Sequence, residues 1–159
     1  MWSGITAQGR PDSVRLPRVK AGGVDFIEGL GRLALFADLP DAELEEIARS
    51  GGQVSFREGE WVIRQGDPPS AFYVIVDGEV SVMIGDEDRG VLSRGSFFGE
   101  VSVLLEEPAS ASIMTRTPLT CLVVPGEEVQ SFLLAHPEVS YRILRAEARR
   151  LRTASEWRT

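Results

Sequence analysis

Residues 97–112 read FFGEVSVLLEEPASAS. Gly99 and Glu100 open a short apolar helical turn that runs to Leu105, and Pro108 closes it. Small residues follow: Ala109, Ser110, Ala111 and Ser112. A glycine leading into a short helix lets backbone N–H groups face an anion. A carboxylate at the helix start repels that anion but accepts hydrogen bonds from a hydroxyl. The stretch therefore has the parts of a pocket for a group carrying both an anion and hydroxyls. It lacks a cation, since no arginine or lysine stands between 97 and 112.

On both sides of this stretch the pattern is one of short strands. The candidates are Val54 and Phe56, Trp61 to Ile63, Phe72 to Val76, Val80 to Ile84, Gly90 to Leu92, Ser112 to Thr115 and Leu119 to Val124. Turn residues separate them at Arg57-Glu58-Gly59, Gly66-Asp67-Pro68-Pro69, Asp77-Gly78 and Gly85-Asp86. Such spacing predicts a mainly β domain, an eight-stranded antiparallel jelly-roll barrel with flanking helices.

Helical periodicity brackets the strands. Phe26, Ile27, Leu30, Leu33 and Ala34 share one face of a helix predicted over 24–36. Asp41 is expected to cap a second helix reaching Arg49, whose apolar face is Leu44, Ile47 and Ala48. Phe36, Leu39 and Leu44 would seat this pair on the strands. A helix over 126–135 is broken at His136-Pro137. The last helix, 138–158, carries Tyr141, Leu144, Ala148, Leu151 and Ala154 at three- and four-residue steps. One apolar stripe would cover the strands, and a second would pair with a twin helix to give a homodimer. Residues 1–23 are rich in Gly, Pro, Ser and Arg and are expected to form a flexible basic tail.

Composition narrows the classes further. The chain has 159 residues and a formal net charge of −7, enough length for one sizeable core. Residues 1–23 hold four basic and one acidic side chain, and residues 137–159 hold six Arg and three Glu. The strand region carries the acidic excess, the wrong sign for gripping duplex DNA. No apolar run is long enough to span a membrane, and no apolar signal core opens the chain, so a cytoplasmic location is expected. Cys121 is the only cysteine and sits in an apolar run, as a buried thiol would. His136 is the only histidine and is expected to be a turn residue, not a metal ligand. No Ser-His-Asp set, metal cluster or Walker-type loop is present, and Glu106-Glu107 falls in a loop; enzyme chemistry is not expected.

The spaced motifs carry a resemblance. Phe98, Gly99, Glu100, Val101, Ser102, Val103, Leu104, Pro108, Ser110 and Ala111 are similar to the phosphate-binding cassette of the cyclic nucleotide-binding domain family, of the catabolite activator protein and cAMP-dependent kinase regulatory subunit type. The run GEWVIRQGDPPSAFYVIVDGEV at 59–80 resembles the family's first half, with Gly66 and Gly78 at its turn glycines. ARRLRTASE at 148–156 is similar to the long C-terminal helix of members of the family. The resemblance covers residues 30 to 158. It implies a ligand, cAMP or cGMP, and no other cofactor. Glu100 would take the ribose 2′-hydroxyl, with Gly99, Ser110 and Ala111 around the phosphate, Ser155 near the base, and Val101 and Ala109 also in the ligand site.

One departure stands out. The family's cassette arginine pairs with the cyclic phosphate, and Ala109 occupies that position here. A hydrogen bond to a charged group is worth roughly 1.5–3 kcal/mol, so its loss lowers affinity by at least one to two decades. Arg94, Arg116 and Arg150 are the arginines that would have to replace it, and spacing alone places none of them. The expectation is a non-enzymatic regulatory module with a weak or altered site coupled to the C-terminal helix, its cradle offering nothing positive to the ligand. The alternative is a ligand-independent scaffold or dimerisation module. No DNA-reading element is expected to follow Thr159, and direct DNA binding is not expected.

Overall fold

The computed structural model describes residues 19–156, with side chains described through residue 154. Eight strands form two four-stranded antiparallel sheets. They are β1 (Gly52–Phe56), β2 (Trp61–Ile63), β3 (Ala71–Asp77), β4 (Val80–Ile84), β5 (Glu87–Leu92), β6 (Phe97–Phe98), β7 (Ser112–Thr115) and β8 (Leu119–Pro125). One sheet has the order β1-β8-β3-β6 and the other β2-β7-β4-β5. The helices are α1 (Val24–Gly31), α2 (Asp41–Ser50), α3 (Glu100–Leu105), α4 (Val129–Ala135) and α5 (Pro137–Glu156).

The apolar runs of β3 and β8 explain the layering. A strand covered on one face alternates apolar and polar, whereas one covered on both faces is apolar throughout. Ala71 to Ile75 and Cys121 to Pro125 are all buried. Tyr73, Ile75, Cys121 and Val123 point between the two sheets, where they meet Val80 and Ile113. Phe72, Val74, Leu122 and Val124 point the other way, onto Leu30, Phe36, Ile47, Phe132 and Ile143 of the helices. In the second sheet, β5 is exposed along most of its length.

Several boundaries differ from the sequence expectation. The first helix stops at Gly31, and residues 34–36 form a separate 3-10 turn. Asp41 is the first residue of α2 and makes no side-chain cap; Pro40 precedes it. The strand absent from the seven sequence candidates is β6, Phe97–Phe98, which pairs with Val74 and Tyr73. Within the basic segment 1–23, Lys20 exchanges two backbone hydrogen bonds with Gln53, at 3.0 and 2.8 Å; residues 1–18 lie outside the described part. No helix among the described residues is long and apolar enough to cross a membrane.

Candidate functional site

β6 ends against β3, and the chain must turn at once. Gly99 does this in the left-handed region, at φ 87°. A Cβ on Gly99 would lie 2.3 Å from the Ala71 carbonyl oxygen, so only glycine fits both the backbone angle and the gap. The turn places Glu100 as the first residue of α3, with its side chain only 7% exposed. Beyond α3, the Glu107 N–H donates to the Ser102 carbonyl at 3.1 Å, and the Ser102 hydroxyl donates to the Glu107 carbonyl. Ala109 is then clamped to the 66–67 turn: its N–H donates to the Asp67 carbonyl at 2.9 Å, and its carbonyl accepts from Gly66 N–H at 2.8 Å.

These segments enclose a cavity of about 380 Å³. Ile63, Val82, Leu92, Phe98 and Ile113 line one side, and the cassette lines the other. Gly99, Glu100, Val101, Ala109, Ser110 and Ala111, six of the seven residues singled out in the sequence, all border it. The seventh, Ser155, is in α5, and its side chain lies outside the described part.

A guanidinium does reach this hollow, against the expectation of a cradle with nothing positive in it. Arg150 of α5 lines the cavity. Its Nη1 donates to Glu100 Oε2 at 3.1 Å and to Glu147 Oε1 at 3.2 Å. Its Nη2 donates to the Phe97 carbonyl at 2.8 Å and to Ser96 Oγ at 3.4 Å. The guanidinium carbon also sits 4.2 Å from the centre of the Phe97 ring. Of the other two candidates, Arg116 is engaged by Glu79 at 3.8 Å and by Ser81 at 3.2 Å. Arg94 is exposed and is not among the cavity residues.

Burial pushes the Glu100 carboxyl up to about 8, with a hydrogen bond and charge repulsion from Glu147 adding to the effect. Backbone hydrogen bonding and Arg150 pull the other way and do not prevail. Burial leads, and Arg150 does not offset it, because one guanidinium nitrogen is shared between two carboxyl groups.

Residues 53–136 match the family model for the cyclic nucleotide-binding domain. The chain belongs to the cyclic nucleotide-binding domain family. It is similar to a cGMP-dependent protein kinase of Plasmodium berghei, 35% identical over 89 residues, which is 56% of this chain and 10% of that protein. It is also similar to a cAMP-dependent protein kinase regulatory subunit of Emericella nidulans, 33% identical over 90 residues, 55% of this chain and 22% of that protein. The chain thus spans a small part of the length of these relatives. Among solved structures, the catabolite activator protein of Thermus thermophilus matches at a TM-score of 0.68 and 28% identity, over 76% of this chain and 59% of that one. A cyclic nucleotide-binding domain from Methylobacillus flagellatus matches at 0.75, over 97% of this chain and 92% of that one; at 20% identity it shows the fold alone.

Within this cyclic nucleotide-binding domain the sequence left two groups of residues unplaced. Glu147 and Ser96, which complete the Arg150 contacts, carry no motif; only the i, i+3 spacing of Glu147 and Arg150 hints that they meet. His136 is not at the surface of its turn. It is 1% exposed, with Nδ1 2.9 Å from Glu43 Oε2 and Nε2 3.7 Å from Glu46 Oε1. No group of three or more potential metal ligands occurs among the described residues.

Proposed function

We propose that this chain is a non-enzymatic regulatory module whose cyclic nucleotide site is weak or altered, and whose occupancy is signalled through α5. One observation carries the coupling: Arg150, on α5, is hydrogen-bonded to Glu100, at the head of the cassette helix, at 3.1 Å. A ligand hydroxyl that approaches Glu100 competes with Arg150 for the same oxygen atoms. Displacing the guanidinium loosens one of the contacts that hold α5 against the strands, so a ligand that binds the α5-released form better shifts the population toward it. Membership of the family supports cAMP or cGMP as the starting point for a ligand, and Ala109 in the cassette supports weak affinity. The strand order 1-8-3-6 facing 2-7-4-5 supports reading the two sheets as a jelly roll.

The test is a calorimetric titration of cAMP and cGMP, paired with amide hydrogen exchange along α5. The expected result is weak, saturable heat that Glu100→Ala abolishes, with faster exchange in α5 when ligand is present. Absence of heat at millimolar ligand, from the cyclic nucleotides and from the nucleosides they contain alike, would overturn the sensor reading. That result would favour the second reading, a ligand-independent dimerisation module. A specific observation supports that one as well: Tyr141, Leu144 and Leu151 of α5 are 59%, 65% and 69% exposed, an uncovered apolar stripe on a helix already anchored by its other face.

A further inference from the structure

We propose that the cavity takes an uncharged ligand, with an apolar body and hydroxyls to meet Glu100, in preference to a cyclic phosphate. This rests on the ligand-sensing reading above and goes further by naming the class of ligand. The argument is one of charge balance. Among the described residues, Glu100 and Arg150 are the only ionisable side chains that line the cavity, and they are bonded to each other. Glu147 holds the same guanidinium nitrogen at 3.2 Å. Arg150 therefore faces two carboxyl groups, and whether Glu100 carries a proton or not, no positive charge is left over for an anion.

Turning Arg150 toward a phosphate does not repair this. The move would strip the Phe97 carbonyl of its 2.8 Å donor and Glu100 of its 3.1 Å donor. A buried polar group left without its partner offsets what the new pair supplies. Position 109 offers no alternative, because the Ala109 methyl packs against the apolar core between the sheets. An anion entering this hollow leaves its hydration and meets mostly hydrocarbon, the costly case.

An uncharged ligand brings no anion to strip of its hydration, and a hydroxyl that displaces Arg150 takes its place as the partner of Glu100. The ligand's apolar body replaces water against Ile63, Val82, Leu92 and Ile113. Its hydroxyls bond to Glu100, whose raised pKa makes the carboxyl a donor as well as an acceptor at neutral pH.

Matched pairs that differ only in the phosphate test this on the whole chain: adenosine against cAMP, and guanosine against cGMP, by calorimetry. In each pair that binds, the nucleoside is expected to bind at least about tenfold more tightly, a difference of about 1.4 kcal/mol. Ala109→Arg is expected to reverse the order by restoring a cation. A cyclic nucleotide that binds the unaltered chain as tightly as its nucleoside, or more tightly, overturns this inference and leaves the sensor reading standing. Failure of both nucleosides to bind at millimolar concentration overturns it too. If the cyclic nucleotides also fail, the sensor reading goes with it. The unaltered chain decides the matter even if Ala109→Arg does not fold.

Discussion

At the scale of single residues, Glu100 makes the site a proton-linked one. Its pKa is about 8 in the folded chain against 4.5 for the free side chain. The folded state thus holds this proton more tightly than the unfolded state does. Stability from this group is fully present below the unfolded value and is lost as pH rises toward the folded one. Glu100→Gln keeps the shape and cannot titrate. Urea midpoints measured from about pH 5 to about pH 8 should therefore fall more steeply for the unaltered chain than for Glu100→Gln. The difference between the two curves isolates Glu100 from other titrating groups. Parallel curves would mean that Arg150 dominates and Glu100 is an ordinary carboxylate. Gly99 is the residue whose role was readable in advance. A glycine before an acidic helix start signals a turn, and the structure adds the reason, a 2.3 Å approach to Ala71.

At the scale of elements, the junction between α4 and α5 is held by a long-range clamp. His136 joins the end of α4 to α2 through Glu43 at 2.9 Å, and the Phe132 ring lies 5.0 Å away on its own helix. Arg142, one turn into α5, donates to the carbonyls of Ala34, Leu35 and Ala37 at 3.2, 3.1 and 2.8 Å. Together these tie the direction of α5 to the N-terminal helices. His136→Ala removes a buried ring and leaves Glu43 without its donor, so a loss of about 2–3 kcal/mol is expected by denaturant unfolding. A loss under about 0.5 kcal/mol, the level of ordinary surface changes, would show that the clamp contributes nothing. The sequence revealed a turn at His136-Pro137 but not the burial, because Glu43 lies 93 positions away and no local pattern records such a distance. The first helix failed for a different reason. Apolar residues continue at helical spacing past Gly31, but the hydrogen bonds tighten there to Arg32→Gly29 and Leu33→Leu30. The rotation changes, so Leu35 is buried and Ala34 exposed. Phe97–Phe98 escaped notice as a strand because two residues are too few to alternate. The long, apolar or alternating strands were legible, since their period is set by which faces are covered.

At the scale of the whole molecule, α5 has a buried face and an exposed apolar one. Val139 and Ile143 are buried against the domain, with Ala146 packed beside them, and Arg150 follows on the same side. The opposite stripe steps by three and four residues from Tyr141 through Leu144 and Ala148 to Leu151, the repeat of a coiled-coil seam. The flanking charges favour one orientation of a second copy. In a parallel pair Glu147 of one helix faces Arg152 of the other, while an antiparallel pair sets Arg145 against Arg152. Pairing through this stripe predicts a dimer in sedimentation velocity that Leu144→Glu converts to monomer. The variant should keep its fold, because Leu144 is 65% exposed and touches the core little. The site itself supplies the control. Glu147 already bonds Arg150 at 3.2 Å, so a partner's Arg152 that draws Glu147 away would loosen its hold on Arg150 and leave that guanidinium more fully to Glu100. The dimer should then bind hydroxyl-bearing ligands more weakly than the Leu144→Glu monomer. An unaltered chain that sediments as a monomer across the concentration range would remove this link and leave α5 as a cover for its own domain.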